Sequence, residues 1–143
     1  MVRVTRTFTV STPIEKVVEY LSDFGHAEQW DPGTKTCKRV DTGPVHEGSS
    51  WTNVSQFRGK ETTLDYRLLK RQPRRLVFEG RNKRATSTDD INLSPVGGGT
   101  LITYEANIAF HGVLRLVGWA VQGEFNRLGD RTAEQMTRVL NAL

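Results

Sequence analysis

From Ser49 to Phe110 apolar and polar residues alternate with period two in successive runs, the signature of strands that share one half-buried sheet. Residues 2 to 10 do the same, with Val2, Val4, Phe8 and Val10 set against Arg3, Thr5, Thr7 and Thr9. Thr12-Pro13-Ile14-Glu15 reads as a capping box, and Ile14, Val17, Val18 and Leu21 then recur on one helical face. Phe24 to Trp30 predicts a second short helix, closed by Asp31-Pro32-Gly33, and Cys37 to Val40 a further strand. From Val113 to Leu143 the positions Leu114, Val117, Val121, Phe125, Leu128, Thr132, Met136, Val139 and Leu143 step by three and four. They predict a helix of about 30 residues, about 45 Å long, enough to cross the sheet. Gly118 and Gly123 predict that it bends in its first third or that something packs closely against it there.

Register turns these runs into a wall. A two-residue turn at Gly59-Lys60 pairs Trp51 with Leu68, Asn53 with Tyr66, Ser55 with Leu64 and Phe57 with Thr62. A Gln72-Pro73-Arg74 turn sets Leu68 opposite Phe78 and Tyr66 opposite Gly80. A Lys83-Arg84 turn sets Phe78 opposite Asp89, Leu76 opposite Ile91 and Gly80 opposite Ser87. The Gly97-Gly98-Gly99 loop sets Ile91 opposite Ile102, Asp89 opposite Tyr104 and Ser87 opposite Ala106. The other face then pairs Arg67 with Glu79, Asp65 with Arg81 and Thr88 with Glu105, which brings opposite charges together twice and supports the register.

Composition bounds the rest. A chain of 143 residues, 36% hydrophobic, is long enough for one domain with its own core, so residues 1–143 are expected to form a single domain. No apolar run approaches the roughly 20 residues that span a bilayer, and Met1 to Arg6 alternates instead of forming a signal-peptide block. A soluble cytoplasmic protein is the expectation. Cys37 is the single cysteine, so no internal disulfide can form. The net charge is +4, with cations gathered at Lys70, Arg71, Arg74 and Arg75 and again at Arg81, Lys83 and Arg84. These read as solvated turns, with transient contact to an anionic membrane surface as the sharper alternative. The basic turns lack interleaved aromatics, so no nucleic-acid partner is expected.

The strand, the capped helix with Pro13, Trp30-Asp31-Pro32, the meander with Pro73-Arg74-Arg75-Leu76-Val77-Phe78, the hairpin Gly98-Gly99-Thr100-Leu101-Ile102-Thr103-Tyr104-Glu105 and the long terminal helix occur in that order. Together they resemble the polyketide cyclase/dehydrase and lipid-transport family of the START-like, helix-grip superfamily, and the resemblance covers essentially the whole chain. It implies an α+β helix-grip fold: a seven-stranded curved antiparallel sheet wrapped around a long C-terminal helix, with two short helices after the first strand. It also implies a ligand cavity between sheet and helix, in a superfamily whose members are carriers, cyclases or protein-binding modules.

The inward wall of the register carries Trp51, Asn53, Ser55, Leu64, Tyr66, Leu68, Phe78, Ser87, Asp89, Ile91, Ile102, Tyr104, Ala106, Ile108 and Phe110. Trp30 from the short helix, and Trp119 and Phe125 from the long one, are expected at the mouth and roof. The candidate ligand-binding set is therefore Trp30, Trp51, Asn53, Tyr66, Phe78, Ser87, Asp89, Tyr104, Phe110, Trp119 and Phe125, mostly aromatic with a few polar groups. Each aromatic also has the ordinary reading of a core residue. Asp89 stands out because a carboxylate facing an apolar interior must find donors, reach water or become neutral. It reads either as a satisfied structural group or, with Tyr104, as a ligand anchor or acid/base pair.

His26, His46, His111 and Cys37 have no ligand spacing, so no metal is expected, and no cofactor motif is present. The first expectation is a carrier or sensor of a hydrophobic small molecule such as a lipid or polyketide. The second is an aromatic polyketide cyclase or dehydratase using Asp89 and Tyr104. Cyclases of this superfamily commonly use an inward arginine, whereas the register points every Lys and Arg of the meander outward. The third is a protein-interaction module docking through the basic turns or the glycine-bearing part of the last helix. Both a monomer and a homodimer fit these residues.

Overall fold

In the computed structural model, which describes residues 1–143, seven antiparallel strands form one sheet in the order β1-β7-β6-β5-β4-β3-β2. The strands are β1 (Val2–Val10), β2 (Thr34–Arg39), β3 (Ser50–Phe57), β4 (Lys60–Gln72), β5 (Arg75–Arg81), β6 (Ala85–Val96) and β7 (Gly99–Phe110). Between β1 and β2 lie α1 (Ile14–Ser22), a 3₁₀ turn (Phe24–His26) and α2 (Ala27–Trp30). After β7 come a 3₁₀ segment (Gly112–Val117) and α3 (Gly118–Asn141). The sheet curls so that α3 packs on β1 at one edge while α2, beside β2 at the other edge, also meets α3. This is the helix-grip architecture.

Two hairpins differ from the expected register, each by two residues. The β3–β4 turn is Arg58-Gly59, with φ of 55° and 75°, so Trp51 faces Tyr66 and Asn53 faces Leu64. A two-residue hairpin turn of this kind needs positive φ at both central positions, and Gly59 supplies the second at no steric cost, whereas Lys60 would be strained there. The β6–β7 turn is Gly97-Gly98, with φ of 55° and 86°, so Ile91 faces Tyr104 and Asp89 faces Ala106. Thr88 consequently faces Asn107, not Glu105. Because side chains alternate with period two, a two-residue slip leaves every residue on its expected face.

The β4–β5 and β5–β6 pairings follow the expected register, with Leu68 opposite Phe78, Arg67 opposite Glu79, Asp65 opposite Arg81 and Phe78 opposite Asp89. Leu69 is left unpaired in a bulge between Leu68 and Lys70, which bends β4.

The helices show two further differences. Pro13, not Thr12, is the N-cap of α1, and the Thr12 hydroxyl donates instead to the Leu140 carbonyl at 2.6 Å, tying the start of α1 to the end of α3. The last helix is α-helical over 24 residues, about 36 Å, because the first six residues after His111 wind as 3₁₀. Gly118 stands at that change of winding in ordinary contact with Val2 and Phe110, and Gly123 faces open space.

The concave face is filled over only half its length. Phe24, Trp30, Trp51, Tyr66 and Phe78 interlock there, with ring centroids 4.3 to 6.1 Å apart, beneath α1 and α2. Trp51 Nε1 donates to Asp23 Oδ1 at 3.0 Å, while Trp30 Nε1 is buried without a partner. The other half of the face, toward the β3–β4 hairpin tip, is hollow.

Candidate functional site

The hollow is a cavity of about 210 Å³ between the far ends of β3, β4, β6 and β7 and the middle of α3. Period-two alternation sends Tyr66, Ser87, Asp89, Tyr104 and Phe110 into it, and the helical stripe adds Phe125, Leu128 and Thr132. Six of the expected residues therefore share one wall: Tyr66, Ser87, Asp89, Tyr104, Phe110 and Phe125. The wall carries neither Lys nor Arg.

The remaining expected residues lie elsewhere. Trp30, Trp51 and Phe78 are fully buried in the interlocked aromatic half and are core, not cavity wall. Trp51 and Phe78 point inward as expected, but α1, the 3₁₀ turn and α2 occupy the space in front of them, and Trp30, itself part of α2, packs edge-on against Phe24 and Tyr104 instead of standing at the mouth. Asn53 is buried one step behind the wall, receiving a hydrogen bond from Ser55 Oγ at 2.6 Å and donating to Thr34 Oγ1 at 3.0 Å. Trp119 is 83% exposed and takes no part in a roof. It follows Gly118 and precedes Val121 by two residues, and both of those are buried, so the helical rotation of about 100° per residue turns it toward solvent.

Asp89, 4% exposed, is the centre of the polar cluster. Tyr104 donates its hydroxyl to Asp89 Oδ2 at 2.6 Å. The Tyr66 hydroxyl lies 3.3 Å from Asp89 Oδ1 and 3.2 Å from Ser87 Oγ. Tyr66 is placed by Gly80 opposite it, since a side chain at Gly80 would overlap the Tyr66 ring. Burial is the largest influence on Asp89 and pushes its carboxyl up to about 7; the two tyrosine hydrogen bonds pull it back and the nearby Asp31 carboxylate adds to the rise. The same burial, with the Asp89 charge, raises Tyr66 and Tyr104 well above the ordinary phenol value. Near neutral pH, then, Asp89 is the group of this cluster that changes charge.

Asp31 lines the cavity too and was not singled out by sequence pattern, because an Asp-Pro-Gly stretch reads first as a turn. It makes that turn, accepting from Gly33 N at 2.9 Å and from the Thr34 hydroxyl at 2.9 Å. Although its residue surface is only half-buried, its carboxyl is surrounded by protein atoms, and desolvation raises it against these donors and the Arg131 charge. Ser55, Asn53, Thr34 and Asp31 thus form a second hydrogen-bonded polar string along one side of the hollow.

The mouth lies at the end of the sheet. There Phe57 at the end of β3 stacks on Phe125 of α3 with centroids 4.7 Å apart, and Arg58 both covers the Phe57 ring and pairs with Glu124. Phe57 was expected on the inner face, but its partnership with Phe125 depends on where the hairpin tip meets the helix. No group of three or more His, Cys, Asp or Glu side chains is placed to hold a metal ion, and no helix is long and apolar enough to cross a membrane.

The sequence family described as polyketide cyclase / dehydrase and lipid transport matches residues 1–140. Among solved structures, TTHA0849 from Thermus thermophilus superposes with a TM-score of 0.80 at 13% identity, over 98% of this chain and 97% of that one. The Zhui aromatase/cyclase from a Streptomyces species gives 0.73 at 13% identity over 98% and 91%. A STAR-related lipid transfer protein from Xanthomonas axonopodis gives 0.75 at 12% identity over 95% and 84%. At these identities the likeness is one of fold. No curated protein sequence matches significantly.

Proposed function

Because the chain belongs to the polyketide cyclase/dehydrase and lipid-transport family, whose fold fits a hydrophobic ligand, we propose that it binds a small, largely apolar molecule carrying one hydrogen-bonding group. The observation that carries this reading is a cavity whose wall is mostly apolar and aromatic, with its polar atoms gathered around Asp89, Tyr104, Tyr66 and Ser87. Apolar contact supplies affinity and the cluster supplies orientation.

Size and charge narrow the class. A cavity of about 150 Å³ takes benzene, so 210 Å³ suits a one- or two-ring compound and is too small for a whole phospholipid or an extended poly-ketone unless the Phe57–Phe125 closure opens. With two carboxyl groups and no cation on the wall, an anionic ligand is disfavoured. The Tyr104 hydrogen already goes to Asp89, so above pH 7 the cluster offers acceptors, and a ligand hydroxyl satisfies them. Titration calorimetry with 2-naphthol, naphthalene and 2-naphthoate tests this. Binding should fall in that order, and Tyr104→Phe should weaken 2-naphthol without weakening naphthalene. No binding by any of the three, or equal binding of the naphthoate, refutes the reading.

The second reading is acid/base catalysis, favoured by the Asp89 carboxyl lying near neutrality beside a bound tyrosine hydroxyl. Asp89 would take a proton from a carbon between two carbonyls. The enolate would form a carbon–carbon bond to a further carbonyl, and the resulting alkoxide would recover the proton from Asp89. Unchanged turnover of a poly-ketone mimic by Asp89→Asn and Tyr104→Phe would remove it.

A further inference from the structure

Five large apolar side chains stand exposed at the cavity-mouth end of the molecule: Met1 (76%), Val113 (82%), Leu116 (74%), Val117 (45%) and Trp119 (83%). Their proximity follows from the fold. β1 begins beside the end of β7, Val2 facing Ile108, and Gly118 rests against Val2 and Phe110, so Met1, the 3₁₀ segment and the first turn of α3 share one end. The β5–β6 turn joins them, because His111 N donates to the Arg84 carbonyl at 2.8 Å and His111 Nδ1 lies 3.2 Å from the Lys83 carbonyl. This places the exposed cations Lys83, Arg84 and Arg115 around the apolar group.

The unpaired charge around the 3₁₀ segment is basic, and the carboxylate of Glu105, on the neighbouring strand, is engaged with Arg3. No Asp or Glu occurs between residues 80 and 88 or between residues 106 and 123, and the first carboxylate along α3, Glu124, is paired with Arg58. A folded chain normally keeps such side chains apart or covered, and a contiguous exposed apolar group rimmed by polar residues marks a contact surface. The chemistry selects the partner. An exposed tryptophan and leucine beside lysine and arginine match the headgroup boundary of a bilayer, apolar below and anionic above.

We propose that this end is a docking surface for an anionic phospholipid bilayer, with Leu116 and Trp119 entering the headgroup boundary and Lys83, Arg84 and Arg115 facing the lipid charge. The docked orientation brings the Phe57–Phe125 mouth toward the bilayer.

Trp119 is its own reporter, since Trp30 and Trp51 are fully buried. At low ionic strength, vesicles of phosphatidylcholine with about one-third phosphatidylglycerol should sediment the protein and shift its tryptophan emission to the blue, and pure phosphatidylcholine vesicles should do so far less. Each cation near an anionic leaflet is worth about fivefold in partitioning. Lys83→Glu with Arg84→Glu should therefore weaken binding at least about 30-fold, and Leu116→Asp with Trp119→Asp should abolish it, the thermal midpoint of each remaining that of the parent. Asp89→Asn, which alters the cavity and not this surface, should bind vesicles as the parent does, so failure of the ligand reading and failure of this one are separable. The proposal is overturned if anionic vesicles leave the protein in the supernatant, or if both double variants bind unchanged. It is equally overturned if the protein self-associates through Leu116 and Trp119 in place of binding lipid.

Discussion

Replacing Asp89 with Asn removes one charge from the centre of the cavity cluster while keeping its shape and an acceptor for Tyr104. In the folded chain the Asp89 carboxyl stands at about 7 against an ordinary value of 3.8. The folded state therefore holds its proton through a window in which the unfolded chain releases it. Stability falls as pH rises wherever the unfolded state binds fewer protons, so the parent should lose stability between about pH 4 and 7 and lose little more above that. At about 1.4 kcal/mol per pH unit the whole penalty is about 4 kcal/mol, and between pH 5 and 8 it is about 2 to 3 kcal/mol. Asp89→Asn has no such dependence.

Urea denaturation followed by tryptophan fluorescence measures the effect. With a slope of about 1–3 kcal/mol per molar urea, the difference in midpoint between variant and parent should grow in the variant's favour by about 1–3 M on going from pH 5 to pH 8. A difference that stays constant across that range would mean that Asp89 titrates as an ordinary carboxylate in contact with water. The enclosed cluster, and with it both readings of the site, would then be wrong.

Tyr104→Phe deletes the 2.6 Å hydrogen bond that holds the Asp89 carboxylate down, so the pH of steepest stability loss should move upward in the same titration; no movement would dissociate the two residues. Gly80→Ala should displace the Tyr66 ring and destabilise the fold by about 1–3 kcal/mol, as overpacking does, whereas a neutral result in urea would show that the ring has room to shift. Trp51→Phe strips the Asp23 carboxylate of an indole donor, while Trp30→Phe removes a buried donor that has no partner. Trp30→Phe should therefore be the milder by about 1 kcal/mol, and equal urea midpoints would contradict this. Phe125→Ala removes one ring of the pair that closes the mouth and should speed the stopped-flow association of an apolar dye, with a stability cost below the roughly 3–5 kcal/mol of a fully buried phenylalanine; an unchanged association rate would place the entrance elsewhere.

Alternation along the chain was enough to set which face of each strand looks inward, and it stayed right even where turn chemistry moved two hairpins by a pair of residues. Tyr66, Ser87, Asp89, Tyr104 and Phe110 reach the cavity for that reason, and the order of strands and helices carried the family. Periodicity reports a direction, however, not a depth along the strand. Whether an inward aromatic becomes core or wall depends on what α1, the Phe24–His26 turn and α2 bring in front of it, and these segments, Trp30 among them, fill the space before Trp51 and Phe78 while leaving Asp89 and Tyr104 facing a void. A helical stripe likewise fixes a face only once the winding is known. The 3₁₀ start at Gly112–Val117 and the rotation past Gly118 carry Trp119 out to solvent and keep Phe125 at the mouth. Local sequence thus determined the faces, because side-chain direction is a property of a few neighbouring residues. Only the tertiary structure decided where the hollow lies, because empty space is set by segments far apart in the chain.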